Sequence, residues 1–146
     1  MTEAENRIVN INSKHGEYAI ELKGNIIRVD GKGVINKSIL EQYLEDVRTI
    51  TSALQGQPWG FLGFVNGTGI LTPEAEHALV VSIQVRKQFG MRACALVVTN
   101  ADIPSLVKNQ FERVYQRAQI DYRFCASEDE AYLWLGTQDC STAFTE

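Results

Sequence analysis

The stretch from Pro58 to Gly90 limits what this chain can fold into more than any other. It opens with Trp59, Phe61, Leu62, Phe64 and Val65, a nearly unbroken apolar run without a charge. A strand with one wet face alternates apolar and polar residues. A run apolar on both faces suits a strand covered on both sides, as in a parallel sheet. The run is too short for a helix, and Gly60 and Gly63 weaken one further. Glycine in such a strand marks close approach of another backbone or a helix. Asn66-Gly67-Thr68-Gly69-Ile70-Leu71 then forms a glycine-rich loop. Thr72 is a good helix N-cap, and Pro73 suits the first helical position, where its missing N–H costs nothing. Ala75, Ala78, Leu79, Ser82, Ile83 and Phe89 follow at helical spacing. Gly90 stands where a left-handed C-terminal glycine is expected. The stretch therefore reads strand, loop, helix.

The flanks extend the alternation. Residues 1–6 read as a frayed tail, Arg7 to Asn12 as a strand and Lys14-His15-Gly16 as a turn. Glu17 to Lys23 alternates, with Tyr18, Ile20 and Leu22 on one face. Gly24-Asn25 suits a two-residue hairpin turn. The return strand, Asn25 to Asp30, points Ile27 and Val29 inward and Arg28 and Asp30 outward. Asn36 to Leu54 carries Ile39, Leu40, Tyr43, Leu44, Val47, Ile50 and Leu54 on one stripe. Two caps compete there: Asn36, with Ile35 stapling onto Leu40, or a Ser38–Glu41 capping box. Gln55 to Pro58 stops that helix.

Arg92 to Val98 is another charge-poor strand, and Asp102 is a candidate cap for a third helix with Leu106, Val107, Phe111, Val114, Tyr115 and Ala118 on one face. Ile120 to Cys125 alternates as an edge strand. Ser127-Glu128-Asp129-Glu130 reads as a capping box that puts carboxylates at the positive end of a short last helix. That helix places Tyr132, Trp134 and Leu135 near its end, and Gly136 terminates it. Residues 137–146 read as a polar tail without fixed structure, although its Phe144 could dock. The expected fold class is α/β: a mixed, mostly parallel sheet with an N-terminal antiparallel hairpin and about four helices, in one domain over residues 1–136.

Composition narrows the function classes. The chain has 146 residues, is 45% hydrophobic and 22% charged, and carries a formal net charge of −4, with a pI near 5.2. Those are globular values, and the acidic balance argues against a nucleic-acid partner, which needs clustered positive charge. The three cysteines, Cys94, Cys125 and Cys140, form no CxxC pair and read as reduced, buried thiols. No apolar run reaches the length of a membrane span, and the acidic N-terminus lacks a secretory core, so a cytoplasmic setting is expected.

Ligands of open α/β sheets gather at the carboxyl ends of the strands. Here those are residues 66–71, 99–102 and 125–127. The loop Asn66, Gly67, Thr68, Gly69, Ile70, Leu71 and Thr72 is the candidate partner- or ligand-binding site. Its glycines read first as a tight strand-to-helix turn. A small-anion site and a partner-contact or hydroxyl-modification site are the competing readings. It matches neither GxGxxG nor a P-loop. His77, with Glu74 and Glu76 nearby, reads as an ordinary exposed histidine. Glu41, Glu45 and Asp46 read as a solvated face, and Trp59 and Trp134 as core. Lys108, Arg113 and Arg117 are interrupted by Glu112. No catalytic set, metal site or cofactor is indicated.

Three features together resemble the STAS family, the anti-sigma-factor-antagonist-like domains, and within it the SpoIIAA-like branch of bacterial proteins. They are the N-terminal hairpin before the first helix, the strand Trp59–Val65 running into a short Gly/Thr loop and helix, and the segment Phe124-Cys125-Ala126-Ser127-Glu128-Asp129-Glu130-Ala131-Tyr132-Leu133-Trp134-Leu135, which is similar to the family's closing strand and Ala-x-x-Trp-Leu helix. The resemblance spans roughly residues 7–136. It implies a non-catalytic regulatory domain that contacts a protein partner through the loop, with Thr68 as candidate phospho-acceptor. The family's loop usually reads Asp-Ser-Ser/Thr-Gly. Here Asn66 replaces the acid and Gly67 the usual phospho-serine.

The first expectation is therefore a protein-interaction domain contacting its partner through loop 66–72. The alternative is a carrier or sensor of a small apolar or anionic, lipid-like ligand held between the sheet and the first two helices. A binding module should show an exposed patch around Ile70 and Leu71 and no deep cavity. A carrier should show an enclosed apolar cavity lined by Phe61, Phe64, Tyr43 or Val81. An enzyme needs convergent titratable groups at the strand ends. A homodimer through an exposed Tyr/Leu helix face is allowed but not required.

Overall fold

The computed structural model describes residues 7–12, 16–54 and 56–142, with the side chains of residues 7–12 and 16 left out. The expected tail at 1–6, most of the turn at 14–16, Gln55 and Phe144 lie outside the described residues. The elements run β1 (Arg7–Asn12), β2 (Gly16–Lys23), β3 (Ile26–Lys32), α1 (Lys37–Thr51) with a 3-10 turn at Ser52–Leu54, β4 (Trp59–Asn66), α2 (Pro73–Gln88), β5 (Met91–Val97), α3 (Pro104–Ala118), β6 (Asp121–Cys125) and α4 (Glu128–Gly136). The six strands lie in the sheet in chain order. β1, β2 and β3 pair antiparallel, and β3, β4, β5 and β6 pair parallel. The structure is thus the mixed α/β sheet with an N-terminal hairpin that the alternation predicts.

Strictly sequential order has a steric consequence. Each parallel crossover steps one strand in the same direction, and crossovers of one hand put their helices on one face. The core divides accordingly. Leu40 and Val47 of α1, Leu79 and Ile83 of α2, and Val107 and Phe111 of α3 pack with Ile27, Trp59, Val65 and Leu96 on one side. Ala131 and Leu135 of α4 pack with Ile26, Leu62, Ala95 and Val97 on the other. β4 is therefore wrapped on both sides, with Trp59 and Leu62 inaccessible to solvent. The Trp59 indole N–H donates to the Phe89 carbonyl at 3.3 Å.

Most caps follow local chemistry. Asn36 wins over Ser38 for α1, its side chain accepting from the Ile39 N–H at 2.9 Å. Thr72 accepts from the Ala75 N–H, and Ser127 from the Glu130 N–H. The Glu130 carboxylate returns to the Ala126 N–H at 2.7 Å, completing a box shifted by one residue. Asp102 is not the cap of α3: that position belongs to Ile103, which offers no side-chain acceptor. The Asp102 N–H instead donates to the Gly67 carbonyl at 2.7 Å, tying two strand-end loops together. Phe89 and Leu106 leave the stripes that periodicity assigns them, with exposures of 66% and 40%. Gly136 lies inside α4, whose C-cap is Thr137.

The polar segment after α4 has fixed structure as far as residue 142. Asn25, fully buried, donates from Nδ2 to the carbonyls of Pro58 and Asp139 and accepts at Oδ1 from the Ser141 N–H at 2.7 Å. The Asn25 N–H donates to the Ser141 carbonyl. Cys140 packs beneath, so close to Gly60 that a Cβ there would lie 2.8 Å from its sulfur. Gly60 is thus the close approach its residue type announces. Arg28, expected outward, is drawn onto the α4 face. It pairs with Asp30 and Glu128, and its guanidinium lies 4.4 Å from the Phe64 ring centroid. The Arg28 hydrogen bond holds the Glu128 carboxyl below its ordinary value against the opposing effect of burial.

Candidate functional site

Between the sheet and the helices of the thicker face lies an apolar cavity, with about 100 Å³ accessible to the centre of a water molecule. Its floor is sheet: Val29 of β3, Phe61, Gly63 and Val65 of β4, Cys94 and Leu96 of β5. Its roof is Leu40 and Tyr43 of α1, Leu79, Ile83 and Arg86 of α2, and Phe111 and Tyr115 of α3. Glu17, Lys32, Gly33 and Val34 also line it beside the carboxyl end of β3, where Lys32 and Val34 are exposed. Gly63 shapes the floor. A Cβ there would lie 2.7 Å from the Phe61 ring and 2.8 Å from a Leu96 methyl, so only glycine lets those two side chains close over the strand. The register sets Gly63 between Val29 and Leu96 on neighbouring strands.

The wall carries few polar groups. The Tyr18 hydroxyl donates to Asp46 Oδ2 at 2.5 Å, and its ring meets that of Tyr43 edge-on at 5.5 Å. Arg86 contributes a guanidinium 5.9 Å from the Phe61 ring centroid. Its Nε is buried and has no hydrogen-bond partner among the described residues. Burial pushes the Tyr43 phenol up, opposed by the nearby charge of Arg86. Burial likewise pushes the Cys94 thiol up to about 12 and the Tyr115 phenol well above its ordinary value.

The cavity matches the expectation for a carrier in Phe61 and Tyr43. Phe64 borders it, but the ring packs on the opposite face of the sheet. Val81 is 46% exposed and lies outside it. Arg86 escaped the sequence reading because Val85-Arg86-Lys87-Gln88 looks like a solvated helix end. The signal that would have found it is spacing: Leu79, Ile83 and Arg86 fall at i, i+4 and i+7, on one helical stripe.

Loop 66–72 is tightly bound to its surroundings. Asn66 Nδ2 donates to the Gly31 carbonyl, the Gly67 N–H to Asn100 and the Gly69 N–H to Gly33. The Leu71 N–H donates to Gln110 Oε1, while Gln110 Nε2 donates back to the Leu71 carbonyl. The Ile70 carbonyl accepts from the Ile35 N–H, and the Thr72 N–H donates to the Ile35 carbonyl. With the N–H groups of residues 67, 69, 71 and 72 committed internally, the loop does not offer the open row of donors that an anion cradle requires. Nor does it present the anticipated apolar patch: Leu71 is buried at 2% exposure, and Ile70 is half-buried. Thr68 alone points a side chain into solvent from the middle of the loop. Gly69 and Leu71 line the cavity from the loop's inner side.

The other residues singled out in the sequence stay apart. His77 is exposed on α2. Glu76 pairs with Arg113 of α3 at 2.6 Å, and Lys108 lies 5.4 Å from the Phe124 ring centroid. Glu41 and Glu45 pair with Lys37 and Arg48 on the surface of α1. The three cysteines are free and buried. Among the described residues no group of three or more His, Cys, Asp or Glu side chains gathers as a metal site would need, and no helix is long and apolar enough to cross a membrane.

No family model matches the chain, and no curated protein or solved structure was found similar to it.

Proposed function

We propose that this chain is a non-catalytic, STAS-like domain that binds a small, largely apolar ligand in the cavity between the sheet and α1–α2, as a carrier or sensor. The observation that carries the reading is the cavity itself: an apolar chamber between the sheet and the helices, with exposed lining residues beside the carboxyl end of β3, of the size class that takes up small hydrophobic molecules. Filling it removes apolar ligand surface from water at about 0.8 kcal/mol per buried methylene. A ligand bound only by the folded state stabilises it by mass action.

1-Octanol tests this directly. Thermal unfolding of the protein in rising 1-octanol should show a Tm that climbs with concentration. Leu79→Trp, which places an indole in the chamber, should abolish the climb. A Tm in the unsubstituted protein indifferent to 1-octanol would defeat the proposal.

A protein partner contacting loop 66–72 is a second reading, supported by one arrangement. The loop gives Gly69 and Leu71 to the cavity wall and Thr68 to the outside. A partner touching Thr68 would therefore stand one residue from the chamber and report its occupancy. Phosphorylation of Thr68 would add charge at that contact. Affinity purification of the native protein against Thr68→Glu tests this: a partner whose yield does not change with the substitution would count against the loop as its contact.

A further inference from the structure

We infer that the ligand of this cavity is an amphipathic anion, a carboxylate head held by Arg86 with its apolar tail running along Phe61, Leu79 and Ile83. The inference rests on the cavity reading above and adds the chemistry of the headgroup. Three observations carry it. Arg86 lines the same chamber as those apolar side chains and is only half-buried. Its Nε is buried without a hydrogen-bond partner. None of the ion pairs among the described residues includes it; those arginines that do pair, Arg28, Arg48, Arg113 and Arg123, all find a carboxylate.

A buried donor left unsatisfied is costly, and a guanidinium beside aromatic rings without a counter-ion is the arrangement that an incoming carboxylate corrects. The groups around it do not supply the missing charge. Tyr43, Tyr115 and Cys94 are all held in their neutral forms by burial. The planar guanidinium matches a carboxylate with two parallel N–H···O bonds, which a neutral hydroxyl cannot copy. Tyr43 of α1 lines the same chamber as Arg86, and its hydroxyl is the other polar group there.

The test compares octanoate with 1-octanol, which share a tail and differ in the head, by calorimetric titration of the whole protein. Octanoate should bind at least about tenfold tighter, the scale of one charge-assisted hydrogen bond. In Arg86→Met the preference should vanish while 1-octanol affinity is kept or improved; Arg86→Lys should retain a reduced preference. Equal binding of the two probes by the unsubstituted protein overturns the headgroup assignment and leaves the cavity reading standing. So does a preference that survives in Arg86→Met. Binding of neither probe overturns both. If Arg86→Met fails to fold, the unsubstituted comparison together with Arg86→Lys decides.

Discussion

Gly67 and Gly69 share a conformation and differ in surroundings. Both have positive φ, 66° and 58°. A Cβ at Gly67 would meet nothing nearer than 3.5 Å, whereas one at Gly69 would stand 2.1 Å from a Val65 methyl. Gly67→Ala should therefore cost only the left-handed backbone penalty, about 1–2 kcal/mol. Gly69→Ala should add overpacking of about 1–3 kcal/mol more and narrow the cavity wall. Urea denaturation of the two variants checks the ranking, and a Gly67→Ala at least as damaging as Gly69→Ala would contradict it. At this scale the sequence is half legible. Residue type announces that Gly60 and Gly63 are approached closely. It does not say that the Cys140 sulfur approaches the one and a Leu96 methyl the other, because those groups are remote in the chain. Arg86 shows the same limit: its charge argues for solvent, and only tertiary packing closes α1 and α3 around it.

Elements were more legible than residues. Helix spacing, Asn36, Thr72 and Ser127 as caps, and two-sided apolar runs are local signals, and the order of strands and helices follows from them. What local signals omit is how elements clasp one another. Asn25 reads as a turn residue, yet it is the fully buried bracket that joins the β2–β3 turn to Pro58 and to the segment after α4. That bracket gives the polar segment its place, which composition alone argues against. Asn25→Ala would strand two carbonyls and one N–H together, and a loss of roughly 2–4 kcal/mol is expected. Hydrogen exchange should show the loss as exposure of the amides of Cys140 and Ser141. If those amides kept their protection, the bracket would not be what holds the segment.

For the molecule as a whole, the burial of its thiols couples stability to alkaline pH. Cys94 is raised to about 12 and Cys140 to about 11, in both cases chiefly by burial, while an unfolded thiol titrates near 8.5. A folded pKa above the unfolded one means the folded state holds its proton longer. The stabilisation is complete below about pH 8.5 and drains away as pH rises toward the folded value. For Cys94, 2% exposed, the loss between pH 8 and pH 10 should be on the order of 1–2 kcal/mol. Denaturant midpoints at the two pH values, compared with Cys94→Ala, isolate the effect: the variant should show the smaller drop. Identical drops would mean that the Cys94 thiol does not carry it.

The sheet whose strands lie side by side in the order they are made also dictates how the chain can assemble. Each new strand finds its neighbour already waiting, separated from it by one hairpin or one helix, so the entropy of closing large loops is largely avoided. A nascent chain can lengthen the sheet by accretion as it leaves the ribosome. Among the described residues the Arg28–Glu128 pair and the Asn25 bonds to Asp139 and Ser141 reach back from the last elements to the β2–β3 hairpin, and they act as latches that shut once α4 and the segment after it have been made.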